Sequence, residues 1–219
     1  MLRKMMVPKW RTIAAAEEYV GGLSNTSKMP CYSYSLPPDK CFVGNALSNT
    51  DNTACKECYA KKNRYAFNNV KKAMLRRWYT LDKDHWVEAF TFIFSRRKCT
   101  HFRWHDSGDI ESIDHLHNIV EVARRSPHVK FWLPTREVSK LKVYTQRNRN
   151  RPMPENLTIR ISAPYIDKIQ TNLFGNYPTA NISKNIELVN CPAYKQGGKC
   201  GDCRKCWDPK ESNIIYAYH

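Results

Sequence analysis

No window of the 219 residues approaches 18 uninterrupted apolar positions, which removes a membrane-spanning helix from consideration. Acidic side chains are scarce: 20 Asp and Glu stand against 36 Lys and Arg, a formal net charge of +16. That imbalance points toward polyanionic partners, nucleic acid first among them. Cysteine is too thin for a small disulfide scaffold, and its count of nine is odd, so pairwise bridging would leave one thiol over. No helix-turn-helix, RNA-recognition or C2H2 finger pattern occurs, and no internal repeat or low-complexity tract interrupts the chain. The opening residues 1–9 are basic, but Pro8, Lys9 and Arg11 break any apolar core of a signal peptide, so a cytoplasmic protein is expected. What is present is a globular composition, 42% hydrophobic and 12% aromatic. A chain this long buries about 70% of its unfolded surface and needs no disulfides to hold a core. The expectation is a single domain over residues 1–219, with an irregular cysteine-rich segment (1–68), a βα core (69–190) and a cysteine-rich tail (191–219).

The spacing of the cysteines says more than their number. Cys55-Lys56-Glu57-Cys58 is one C-x2-C, and Cys200-Gly201-Asp202-Cys203-Arg204-Lys205-Cys206 is two that overlap. Thiols two residues apart can converge on one centre, which suits a metal ion or an iron–sulfur cluster better than pairwise bridges. Cys191, Cys200, Cys203 and Cys206 together offer four thiolates. That is enough for a fully ligated cluster or for a structural zinc site, and thiolate tetrahedra suit both. Pro192 and Trp207 would shield such a centre from water. Cys99, at a strand start, reads as a small buried residue.

Hydrophobic periodicity orders the middle of the chain. Helical spacing is expected near 69–80 and again near 84–95, with Asp84 as a possible N-cap. Phe102 and Trp104 alternate with polar neighbours over 100–105, a strand signal. Asp106-Ser107-Gly108-Asp109 follows as a tight loop, and a helix over about 112–125 presents Ile113, Leu116, Ile119, Val120 and Ala123 on one face. Strands are expected over 129–133 and 157–161, a short helix over 137–146, and a last strand at Ile186-Glu187-Leu188-Val189 running into Cys191. This rhythm is that of parallel βα units. The fold expected is therefore α/β, a partial (β/α) barrel of roughly four to six mostly parallel strands with loops at the strand carboxyl ends lining one face.

Three stretches taken together carry a family likeness: Cys55-Lys56-Glu57-Cys58-Tyr59-Ala60; Phe102-Arg103-Trp104-His105-Asp106-Ser107-Gly108-Asp109 with Phe131-Trp132-Leu133-Pro134-Thr135-Arg136 beyond it; and Cys191-Pro192 through Cys206-Trp207. As a set, spanning roughly residues 30–207, they resemble a group of small phage and prophage cysteine-rich proteins and, more distantly, the radical S-adenosylmethionine enzymes. The resemblance implies a radical-SAM-like fold. It also implies a [4Fe–4S] cluster on Cys41, Cys55 and Cys58 that leaves one iron open for S-adenosylmethionine, and an auxiliary cluster on Cys191, Cys200, Cys203 and Cys206. Cys41 and Cys55 enclose thirteen residues where the family commonly has three, and Tyr59 follows the last cysteine where the aromatic residue commonly precedes it. Cys31 would be a fourth ligand to the N-terminal site, and that assignment separates an enzyme from an inert cluster protein. A loaded enzyme would cleave S-adenosylmethionine reductively and abstract hydrogen, with a nucleic acid or nucleotide as the expected substrate in the host cytoplasm. The alternative is a non-enzymatic cluster or zinc protein that binds nucleic acid or a host protein; electron transfer through two clusters is a third option.

Ser107-Gly108-Asp109 occupies the place of the family turn that holds the amino group of S-adenosylmethionine. Small residues let backbone approach a ligand, and Asp109 or Asp106 supplies negative charge. The plain alternative is a βα loop in which Asp109 or Ser112 caps the next helix. Arg136 and Arg160 sit at or near strand tips, where a guanidinium can meet a carboxylate or phosphate, or simply make surface salt bridges. Of the histidines, His101, His105, His115 and His117 lack ligand spacing and read as polar packing. His105, beside the loop, is the one placed for proton transfer or ligand contact. The catalytic residues stay unassigned. The pairs Arg124 with Arg125 and Lys140 with Lys142, and the group Arg147, Arg149 and Arg151, are candidates for phosphate contact, while most aromatic residues fall at core spacing.

Overall fold

The parallel sheet begins well before the segment in which periodicity announces it. The computed structural model describes residues 10–218, so the basic opening segment lies outside the described residues. A short helix, α1 (Ile13–Tyr19), is capped by Thr12, whose hydroxyl accepts the Ala15 N–H. Strands β1 (Ser24–Asn25) and β2 (Tyr32–Tyr34) follow, then α2 (Phe42–Leu47), α3 (Asn68–Trp78) and α4 (Trp86–Arg96). The remaining order is β3 (His101–Trp104), α5 (Ile113–Arg125), β4 (Lys130–Thr135), α6 (Val138–Arg147), β5 (Leu157–Ile166), β6 (Thr179–Ser183) and β7 (Asn213–Ala217). The protein is thus a mixed α/β fold with one seven-stranded sheet, more strands than the four to six expected.

The strands lie side by side in chain order, β1 to β7; β1 is antiparallel to β2, and every later pair is parallel. Such an order has no switch point of the kind that splits a doubly wound sheet, so the loops leaving β2, β3 and β4 gather at one end. Period-two alternation gives the sheet two different faces. Phe102 and Trp104 of β3, Phe131 and Leu133 of β4, and Leu157, Ile159 and Ile161 of β5 face the layer of α4 and α5, where they join Trp86, Phe90, Phe94, Leu116 and Ile119 in the main core. Trp86 and Trp104 stack with centroids 5.6 Å apart, and Trp104 stacks on Phe131 at 6.1 Å. On the opposite face Trp132 meets Cys31, Cys206, Trp207 and Ile214, so the tail packs against the sheet instead of trailing from it.

Several sequence expectations need correcting. The N-terminal segment is not merely irregular, because β2 pairs with β3 through Tyr32 with Phe102 and Tyr34 with Trp104. Asp84 caps nothing; His85 stands at the start of α4 without a side-chain cap bond. The expected strand at 186–189 is a 3-10 turn, Ile186–Leu188, with Ile186 and Leu188 exposed. The true last strands are β6 and β7, and the cysteine tail is an insertion between them. Among the described residues no helix is long and apolar enough to cross a membrane.

Candidate metal centres

Cys41, Cys55 and Cys58 come near one another by different routes. Cys41 stands at the start of α2 in extended backbone, and Cys58 at the start of the 3-10 turn Tyr59–Lys61. Cys55 lies in a loop that doubles back to β5, tied there by Ala54 N–H to Pro164 O at 3.0 Å and Ile166 N–H to Asn52 O at 2.9 Å. Thr53, fully buried, fastens the same loop: its hydroxyl donates to Leu47 O at 2.7 Å and accepts the Lys56 N–H at 3.1 Å. Gly44 shows how close the thiols come. A Cβ there would stand 2.9 Å from Cys41 Cβ, 3.7 Å from Cys41 Sγ and 3.8 Å from Cys55 Sγ. The glycine keeps open the space the two sulfurs share. Burial pushes the Cys41 and Cys55 thiols up; Asp109 and the other two thiols add to this for Cys41, whereas Arg136 opposes it for Cys55.

The loop after β3 is fixed residue by residue. Asp106 accepts from Ser35 Oγ at 2.8 Å and from Tyr65 Oη at 2.7 Å, while its backbone carbonyl accepts from Tyr59 Oη. Ser107 and Gly108 are taken up by Leu36: Ser107 Oγ donates to Leu36 O at 2.9 Å, and a Cβ on Gly108 (φ +84) would fall 2.5 Å from Leu36 Cβ. Their small size is thus accounted for by chain packing. Ser112 caps α5, its hydroxyl accepting the His115 N–H at 2.9 Å, which releases Asp109 from that role. Asp109 instead accepts from Thr135 Oγ1 at 2.6 Å, Ile110 N–H at 2.8 Å and Arg136 N–H at 2.9 Å. Burial raises its carboxyl to about 6 despite those bonds. Glu137, which sequence reasoning missed, is fully buried beside Cys41; it accepts from Val43 N–H at 2.9 Å and Lys140 Nζ at 2.6 Å. Its position just past the end of β4 was the available signal.

The second thiol group is the tail. Cys191 and Cys203 are electrostatic neighbours of Cys200, and Cys206 feels Cys191. Cys31 belongs here as well: Cys200 acts on it, the Cys200 N–H bonds Lys28 O at 2.9 Å, and Cys31 packs with Cys206 and Trp207. Cys31, expected as a fourth ligand at the N-terminal site, stands just before β2 and packs on the sheet face that Trp132, Cys206 and Trp207 share. Burial lifts Cys31 to about 12 and Cys206 to about 11, the latter held back by a 3.1 Å contact with Tyr216 Oη. Between the two groups stands Arg103, 4.4 Å over the Trp132 ring and 3.5 Å from Tyr59 Oη. All nine cysteines are free thiols.

With that geometry described, the chain can be set beside known proteins. The model of the family described as Gene product 88 matches residues 10–209. The chain belongs to the Gene product 88 family. A curated relative, the Gene 88 protein of Mycobacterium phage L5, is 27% identical over 204 residues, covering 80% of this chain and 83% of the relative. No solved structure matches. The Gene product 88 match takes in every cysteine from Cys31 to Cys206 and stops short of β7.

Other candidates in this Gene product 88 chain find partners inside the fold. Arg160 is fully buried and donates to four backbone carbonyls: Thr179 O at 3.1 Å, Glu211 O at 2.8 Å, Lys205 O at 3.3 Å and Asp208 O at 3.1 Å. It clamps the tail. Arg136 reaches Ala163 O at 3.3 Å. His105 (φ +56) is buried with Nδ1 3.0 Å from Tyr34 O, and its ring centroid lies 5.1 Å from that of His115. Burial lowers His105 to about 4 and His115 well below its ordinary value. Among the described residues, no three His, Cys, Asp or Glu side chains are drawn together as tightly as a single metal ion requires. The thiols are neighbours, not closed cages.

Proposed function

We propose that this protein is an iron–sulfur protein in which Cys41, Cys55 and Cys58 hold a cluster with one coordination position left to an outside ligand, while the tail thiols hold a second, closed centre. The observation that carries the reading is the parting of the cysteines: Cys41 and Cys55 border one space beside Gly44 with Cys58 and Asp109 near them, while Cys31 packs with Cys206 and Trp207. The donor chemistry fits, since thiolates are the ligands of such clusters and a buried set of thiols and carboxylates that oppose one another's ionisation is stabilised by a cation. Support for a radical-SAM-like arrangement comes from topology. The three cysteines follow β2, the first parallel strand, and Asp109 follows β3, the second. The chemistry such a cluster supplies when loaded is one-electron reduction of bound S-adenosylmethionine. The chain's own part is to hold a carboxylate for the ligand's ammonium at Asp109, fixed from two sides by Thr135 and the Arg136 backbone, and to seal the floor with Glu137 and Gly44.

The test is iron, sulfide and zinc per chain after anaerobic purification. Two loaded centres give about eight irons with matching sulfide, and Cys41→Ala with Cys55→Ala removes about half. Zinc at about one per chain without sulfide supports the rival reading, a zinc-stapled tail, which the four-cysteine spacing also suits. Absence of iron and sulfide ends the cluster reading. A loaded protein that forms no 5′-deoxyadenosine ends its enzymatic half.

A further inference from the structure

From Cys58 to Leu81 the chain carries seven Lys and Arg residues and no Asp or Glu. Lys61 and Lys62 pair with Asp39 and Glu57 on neighbouring loops, and Arg77 is buried. Arg64, Lys71, Lys72 and Arg76 are exposed and, among the described residues, have no carboxylate within ion-pair distance. Large aromatic rings stand out on the same surface: Phe42 is 74% exposed, Phe67 59% and Tyr79 71%. Single exposed apolar residues need no explanation. Three rings beside four exposed, unpaired cations do. Exposed Asn63, Asn68 and Asn69 lie between them.

These pieces form one continuous region. Lys61 Nζ is 3.3 Å from Asp39 and 3.5 Å from Asn45 Oδ1, joining α2 to the turn after Cys58. Lys40 sits 4.5 Å over the Trp78 ring, joining the approach to α2 with the end of α3. One face of Phe42 is covered by Lys140 at 5.5 Å. Cys41 begins α2 and Cys58 begins the basic turn, so the region borders the first thiol group.

We propose that this surface binds single-stranded nucleic acid. Arg64, Lys71, Lys72 and Arg76 follow its phosphates, and Phe67 and Tyr79 stack its bases. The strand thereby presents a nucleotide to the mouth at Cys41, Cys55 and Cys58; this last clause rests on the cluster reading. Charge complementarity selects a polyanion, and rings free on one side select unpaired bases, which a duplex keeps stacked inside. An anionic membrane fits less well. The outward face of α3 is Lys71, Lys72, Leu75, Arg76 and Tyr79, mostly charge, without the apolar stripe that an interfacial helix sinks into lipid.

The experiment is fluorescence anisotropy of the full chain with labelled 20-nucleotide single-stranded RNA and DNA, the matching duplex, and phosphatidylserine-containing vesicles. Four phosphate contacts give a salt slope of about −3, so affinity for the single strand falls roughly 50-fold between 50 and 200 mM salt. Phe67→Ala and Tyr79→Ala each weaken binding by about fivefold or more at fixed salt. The charge-reversed variant of Arg64, Lys71, Lys72 and Arg76 to Glu abolishes binding. Lys71→Glu with Lys72→Glu alone weakens it at least tenfold should the quadruple variant fold poorly, which circular dichroism reports. Lys142→Glu with Arg149→Glu, equally basic and exposed on and after α6, changes it less than twofold. Equal loss in that control, equal binding of the duplex, or binding to vesicles alone overturns the proposal. The same titration on chain freed of iron separates the two readings: retained binding leaves the surface standing even where metal analysis defeats the clusters.

Discussion

Arg160 offers the sharpest test of how the tail is held. Its two terminal nitrogens donate to Thr179 O, Glu211 O, Lys205 O and Asp208 O, so one side chain from β5 fastens the start of β6 and both ends of residues 205–211. Each hydrogen bond from a charged donor is worth about 1.5–3 kcal/mol, but the guanidinium loses hydration on burial and the four are not additive. Arg160→Met keeps the volume, removes the charge and leaves four carbonyls short of a partner; the net loss expected is about 3–5 kcal/mol. With a urea slope of ~2 kcal/mol per molar, the unfolding midpoint falls by about 1.5–2.5 M. Tryptophan fluorescence follows it directly, because Trp207 and Trp132 lie under the clamp with centroids 5.2 Å apart. On the cluster reading proposed above, the variant also loses metal from the tail before the first group. A loss below 1 kcal/mol, or full rescue by Arg160→Lys, refutes the argument, since one ammonium has three donors and no planar fork to span both segments.

Gly108→Ala sets a Cβ 2.5 Å from Leu36 Cβ at φ +84, and a loss of about 2–4 kcal/mol in the same urea assay is expected. Ser112→Ala removes the α5 cap and costs about 1 kcal/mol, with Ser112→Asp restoring it. His105 and His115 are held uncharged when folded. The unfolded chain therefore takes up protons that the folded one refuses, and stability is lost as pH falls from about 6.5 toward 4, by about 3 kcal/mol for His105 alone. His105→Asn, which tolerates φ +56, flattens that slope, and an unchanged pH profile contradicts the assignment. Asp109 acts in the opposite sense: its raised folded value makes stability decline as pH rises from about 4 to 6, so Asp109→Asn removes that decline.

Much of the scaffold was legible because it was local. Alternation revealed β3, β4 and β5, and the stripe of Ile113, Leu116, Ile119 and Val120 revealed α5 with its Ser112 cap. The strands missed have no local signature. Tyr32–Tyr34 is three residues between Pro30 and Pro37, and is a strand only because β3 pairs with it. Thr179–Ser183 carries a buried Asn181, a polar residue that reads as loop until its partners at Gln170 and Asn213 are known. Residues 186–189 misled for the converse reason: Ile186, Leu188 and Val189 look like a core strand, yet among the described residues no strand pairs with them. The cysteine groups were half legible. Spacing drew Cys55 to Cys58 and Cys200 to Cys206, but the sheet alone decides that Cys31 turns toward the tail, and that Glu137 joins Asp109 beside Cys41.

The insertion of the cysteine tail between β6 and β7 has a consequence for synthesis. A nascent chain of 212 residues already contains every thiol, but β6 still has a bare edge, and the amide of Asn181 lacks the Asn213 oxygen 2.7 Å away. A stop codon at position 213 would therefore release a product with all its cysteines and an unpaired strand, ready to join another copy edge to edge.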